Sequence, residues 1–134
     1  MQGVFKEMGM DKHIQVLLIE DDTAIADLYG GRLSRDGYTV AVAHDGEQGL
    51  EMARSGVPNL ILLDLRLPKV DGLTVLRELR SDPASAEVPV VILTNYDEPD
   101  LRSTGIKLGA REVLLKSETT PAQLSTLTAE WTAA

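Results

Sequence analysis

The chain has 134 residues, close to the ~150 that serve as a one-domain prior, so one domain with a sizeable core is expected and a separate output module has no room. Lys and Arg total 13 against 21 Asp and Glu, a net charge of −8 that opposes attraction to nucleic acid or to an anionic membrane surface. Zero Cys excludes disulfides, thiolate metal sites and Cys nucleophiles. No apolar run exceeds six residues and no signal peptide opens the chain, so a cytoplasmic location without a membrane partner is the expectation.

Residues Met1 to Lys12 lack periodicity and are read as an extension ahead of a domain covering 13–134. From His13 onward, short aliphatic runs alternate with amphipathic stretches, the signature of βα repetition and a parallel sheet covered on both faces. In chain order the pattern predicts a strand over Gln15 to Ile19, a helix over Thr23 to Arg35, a strand over Tyr38 to Ala43 and a helix over Glu47 to Ser55. A strand over Leu60 to Leu63, a helix over Leu73 to Arg80, a strand over Val90 to Leu93 and a helix over Asp100 to Leu108 follow. A strand over Glu112 to Leu115 and a helix over Pro121 to Trp131 complete it. Gly37, Gly56 and Gly109 each stand where a left-handed cap residue is wanted. Thr120, Pro121 and Gln123 supply a cap, a first-turn proline and an N3 partner. Gly30 and Gly31 fall inside the first helix at about 1 kcal/mol each, which predicts a bend or a shortening.

Four strands end in an aliphatic run followed at once by a polar side chain: Glu20-Asp21-Asp22, Asp64, Thr94 and Lys116. In doubly wound sheets the site lies beyond the carboxyl ends of the strands, where the strand order reverses. With the order 2-1-3-4-5, strands 1 and 3 are neighbours and Asp21 meets Asp64. Converging carboxylates repel unless a cation lies between them, and hard oxygen donors without His or Cys point to Mg²⁺ or Mn²⁺. Carboxylates, a hydroxyl and an ammonium around such an ion make a phosphoryl-transfer site. Asp22 is read as the cap of the first helix rather than as a metal ligand.

Five segments together closely resemble the receiver domain of two-component response regulators, over about His13 to Trp131. They are Val16 to Asp22, Asp45-Gly46, Leu60 to Gly72, Pro89 to Thr94 and Leu108 to Lys116. The resemblance implies a flavodoxin-like α/β fold, a doubly wound five-stranded parallel sheet of order 2-1-3-4-5 with five flanking helices. It implies that Asp64 accepts a phosphoryl group from a histidine kinase or phosphotransfer protein. Asp21, Asp64 and the backbone carbonyl of Arg66 would hold Mg²⁺, with Mn²⁺ as a substitute, and Glu20 would reach it through water. Thr94 and Lys116 would bind phosphoryl oxygens, and Pro68 and Gly72 would shape the loop after the acceptor. The face of the fourth helix, fifth strand and fifth helix, residues 97 to 131, would then control a downstream effector protein or domain. The first helix, with Ile25 and Tyr29 near the acidic pocket, is the expected kinase-docking surface, although core packing is the favoured reading of Ile25, and a homodimer is compatible with this scheme.

The sequence departs from the family pattern at several positions. Val113 replaces the usual aromatic and puts an aromatic-gated switch in question. Asn95 replaces a small residue, Tyr96 could shield the phosphoryl group, and Ser117 replaces a common proline, which favours a trans bond there. The rival reading is a Mg²⁺-dependent phosphatase or phosphotransferase with an aspartyl nucleophile. That class wants a second Asp at the position held by Arg66.

Overall fold

The computed structural model describes residues 14–95 and 99–133 and shows five parallel strands alternating with five helices. The strands are β1 (Gln15–Ile19), β2 (Thr39–Ala43), β3 (Leu60–Leu63), β4 (Val90–Thr94) and β5 (Glu112–Leu115). The helices are α1 (Thr23–Arg35), α2 (Gly46–Gly56), α3 (Gly72–Ser81), α4 (Pro99–Lys107) and α5 (Pro121–Trp131), and a 3₁₀ turn spans Lys116–Glu118. The sheet order is β2-β1-β3-β4-β5, as the sequence predicts, and every pairing is parallel. The extension assigned to Met1–Lys12 lies outside the described residues.

Side chains alternate across the inner strands, and both faces are dry. Leu17, Ile19, Ile61, Leu63, Val90 and Ile92 pack on one face with Ala53, Val75, Leu76 and Leu79 from α2 and α3. Val16, Leu18, Leu60, Leu62, Val91 and Leu93 pack on the other with Ala26, Tyr29, Leu33 and Leu124 from α1 and α5. The rigid sheet therefore ends, at its carboxyl edge, in polar residues whose backbones are held by the ladder.

Among the described residues, acidic caps start three helices. Asp22 accepts from the Ile25 amide (3.1 Å), Asp45 from Gln48 (2.7 Å), and Asp71 from Leu73 (3.1 Å) and Thr74 (3.2 Å). The Thr74 hydroxyl and amide hold Asp71 below its ordinary 3.8, and the Gln48 amide does the same to Asp45. A depressed carboxyl gives stability in full above the unfolded value and loses it as pH falls through the folded one. Acid unfolding is accordingly expected to begin below pH 3.8. Asp71→Asn, which keeps an acceptor without the charge, should show a shallower acid transition by circular dichroism; an unchanged slope would contradict this.

Two glycine expectations change. Gly37 and Gly109 do adopt left-handed conformations (φ +102° and +105°), but after α2 that conformation belongs to Val57 (φ +39°), with Gly56 the last helical residue. Pro58 disfavours a right-handed helical Val57, so the helix ends one residue later than the glycine suggests. Gly30 and Gly31 do not shorten α1, which runs unbroken to Arg35. A methyl on Gly30 would sit 3.6 Å from Val40 Cγ1, ordinary contact, and one on Gly31 would meet nothing. Gly46 is different, because a methyl there would lie 2.3 Å from the Val70 carbonyl oxygen. Gly31→Ala should therefore stabilise by about 1 kcal/mol, whereas Gly46→Ala should destabilise by about 1–3 kcal/mol. Urea midpoints moving in the same direction for both would refute the contrast.

Candidate functional site

The register sets Ile19 of β1 beside Leu63 of β3, so the residues that follow, Glu20-Asp21 and Asp64, leave the sheet side by side. Backbone bonds fix both exits: Asp64 N–H donates to the Ile19 carbonyl (3.0 Å) and Glu20 N–H to that of Ala43 (2.9 Å). One carboxylate oxygen from each of Glu20, Asp21 and Asp64 lies within 4.8 Å of the other two. They line a pocket of about 190 Å³ with Asp22, Ile25, Arg66, Asn95 and Lys116. Glu20 and Asp64 are buried at 1% and 7% exposure, while Asp21 is exposed at the mouth.

Lys116, carried in from β5, closes the floor. Its ammonium contacts the Glu20 carboxylate and lies 3.4 Å from Asp64 Oδ2, with only 6% of the side chain exposed. Glu20 also accepts from the Asp22 amide (3.1 Å). Burial pushes Glu20 up to about 7, against the pull of its Lys116 hydrogen bond. Burial would lower Lys116, but the hydrogen bond it donates to Glu20 and the charge of Asp64 outweigh it and hold the ammonium above its ordinary value. The three carboxylates outnumber the Lys116 ammonium in a partly buried space. All the donors are hard oxygens, and two of the acids are too buried for water to screen their repulsion. The set fits a divalent cation such as Mg²⁺.

The loop after β3 is held tightly. Arg66 N–H donates to Asp64 Oδ1 (3.4 Å), Gly72 N–H to the Leu65 carbonyl (2.9 Å), and Val70 N–H to that of Pro68 (2.8 Å). A Cβ on Gly72 would sit 2.5 Å from Leu65 Cα and 2.7 Å from the Asp64 carbonyl oxygen, so only glycine lets α3 begin against the strand end.

The other singled-out residues lie as follows. Thr94 is fully buried at the end of β4, in register with Leu115; the pocket wall there is formed by Asn95. Tyr96 lies outside the described residues. Val113 is buried with Ile92 against Gly105 of α4. The described chain contains no cis peptide bond, so the Lys116–Ser117 bond is trans. Ile25 half-emerges beside the acids, but Tyr29 is not on a docking surface. It is 4% exposed and its hydroxyl is bonded to the backbone that follows Lys116. Its spacing from Ala26 and Leu33 on one helical face was the available signal. Arg80, which donates to the carbonyls of Ser85, Ala86 and Gly109, is a loop anchor that no sequence pattern marked.

The model of the response regulator receiver domain matches residues 16–128, most of the chain and every element that builds this pocket. The chain belongs to the receiver domain family of response regulators. Among curated relatives, the response regulator MprA of Mycobacterium ulcerans is 39% identical over 103 residues, 77% of this chain and 44% of that protein. The DNA-binding dual master transcriptional regulator RpaA of Synechocystis is 43% identical over 102 residues, 76% of this chain and 42% of that one. The receiver domain thus spans less than half the length of the curated relatives it matches. A solved structure, the receiver domain of sensor histidine kinase PA1611 from Pseudomonas aeruginosa with magnesium coordinated in its active-site cleft, superposes with a TM-score of 0.83. It is 28% identical and covers 92% of this chain and all of that one. This is therefore a receiver domain of two-component signalling. No helix among the described residues is long and apolar enough to cross a membrane.

Proposed function

We propose that this receiver takes a phosphoryl group onto Asp64 from a phosphohistidine of a histidine kinase or phosphotransfer protein. The observation that carries this is the convergence of Glu20, Asp21 and Asp64 within 4.8 Å at the switch point of the sheet, with the Lys116 ammonium against Glu20 and Asp64. An Asp64 carboxylate oxygen attacks phosphorus, the bond from phosphorus to the donor nitrogen breaks, and an acyl phosphate forms. Asp21, Asp64 and the Arg66 backbone carbonyl are the residues that would hold Mg²⁺, with Glu20 reaching it through water. Bound there, the ion supplies charge neutralisation for the transferring oxygens.

Lys116 is the resident positive charge and pairs with a phosphoryl oxygen, while Thr94 moves toward the same group from the end of β4. Phosphorylation adds about −1.5 to −2 of charge, so both residues are drawn inward and the loops after β4 and β5 follow. The face of α4, β5 and α5 is the surface whose partner, an effector protein or domain, reads the change. RpaA, one of the relatives named above, is a DNA-binding transcriptional regulator, and this supports an effector of that class. Arg66 occupies the position where an aspartyl phosphatase would carry its second acid, which disfavours the rival reading.

Incubation with acetyl phosphate and Mg²⁺ should add one phosphoryl group per chain by intact mass, and chelation of the metal should prevent it. No gain with fresh donor and saturating Mg²⁺ would remove the reading.

A further inference from the structure

We infer that Tyr29 is a positioning residue for Lys116, holding through its hydroxyl the turn that aims the ammonium into the acidic pocket. Tyr29 lies on α1, far from Lys116 in the chain, and is 4% exposed. Its hydroxyl donates to the Thr119 carbonyl at 2.6 Å and lies 3.3 Å from that of Lys116. Those carbonyls bracket the 3₁₀ turn Lys116–Glu118, whose own closing bond, Thr119 N–H to the Lys116 carbonyl, is long at 3.3 Å and which has no side-chain cap. An isolated 3₁₀ turn of three residues has little stability of its own. The Lys116 ammonium is nonetheless held between two buried acids, which demands a fixed backbone beneath a flexible four-carbon stem.

The tie comes from the same helix that opens at the pocket. Asp22 caps α1 and Ile25 lines the acidic wall, so one rigid rod sets the wall near its start and the lysine's backbone about two turns later. A phenyl ring would fill the core as well as tyrosine does; only the hydroxyl reaches the turn. Burial raises Tyr29 above its ordinary value, and the group stays protonated as the donor these bonds require.

The inference rests on the proposed roles of Asp64 and Lys116, and its test separates the two. Tyr29→Phe, Lys116→Ala and the double variant are compared in the full chain for phosphorylation rate with acetyl phosphate and for amide hydrogen exchange at Thr119. Ser125→Ala serves as control, since Ser125 ties α5 to Asp36 beyond the C-terminal end of α1 (2.5 Å) without touching the turn. Tyr29→Phe should slow phosphorylation about fivefold, the factor that one hydrogen bond of ~1 kcal/mol represents. The half-saturating Mg²⁺ should be unchanged, and exchange at Thr119 should be faster. In the Lys116→Ala background the same change should slow the reaction no further. An unchanged rate, a loss that persists in full in that background, or an equal loss in Ser125→Ala would overturn the role. If the wild type takes up no phosphoryl group, the reading of Asp64 falls. Unchanged Thr119 exchange would then still refute the tie, and faster exchange would sustain it.

Discussion

Asp64→Asn is expected to abolish phosphoryl uptake from acetyl phosphate under conditions that load the wild type, with no detectable mass gain. The amide has nearly the same shape as the carboxylate but lacks an anionic oxygen to attack phosphorus. The fold should survive because Lys116 keeps Glu20 as a partner and β3 remains fully buried on both faces. Asp21→Asn should behave differently. Asp21 is exposed at the mouth and does not occupy the floor with Lys116, so its loss should weaken Mg²⁺ binding and slow the reaction while leaving the acceptor in place. A phosphoryl group appearing on Asp64→Asn at the wild-type rate would move the acceptor elsewhere. Equal and complete loss in both variants would mean that metal retention, rather than the nucleophile, is what was removed.

Most of the architecture was legible because its causes are local. Continuous aliphatic runs such as Leu60–Leu63 are needed only where both faces of a strand are dry, and Asp or Thr caps mark where helices open. The meeting of Asp21 with Asp64, 43 positions apart, followed from the strand order, which is observed. What escaped the sequence depends on partners that have no side-chain signature. Arg80 is fixed by three carbonyls, and Tyr29 by two, and any residue presents a carbonyl. Tyr29 looked like a surface aromatic because its polar tip suits an interface as readily as a buried bond. Val57 took the left-handed conformation expected of Gly56 because the following proline shifted where the helix could end.

Lys116→Met should lower the stability of the metal-free protein by about 3 kcal/mol, because removing one partner of a buried ion pair leaves uncompensated charge. Methionine fills the stem's volume, so packing changes little and the loss is electrostatic. Glu20 and Asp64 would then face each other, at 1% and 7% exposure, with no cation on the floor. The same change should make the pocket a stronger sink for Mg²⁺, since the three acids keep their formal charge while the compensating ammonium is lost. Binding to the folded state alone stabilises it by an amount that grows with the logarithm of the ratio of free ion to its dissociation constant, so Mg²⁺ should restore more stability to the variant than it adds to the wild type. Urea unfolding with chelator and with saturating Mg²⁺ measures both arms. A deficit of the same size in the two conditions would show that Lys116 acts through packing rather than as the counter-charge of the acidic pocket. Even with Mg²⁺ bound, phosphorylation of this variant should remain slow, because no ammonium is left to meet the incoming phosphoryl oxygens.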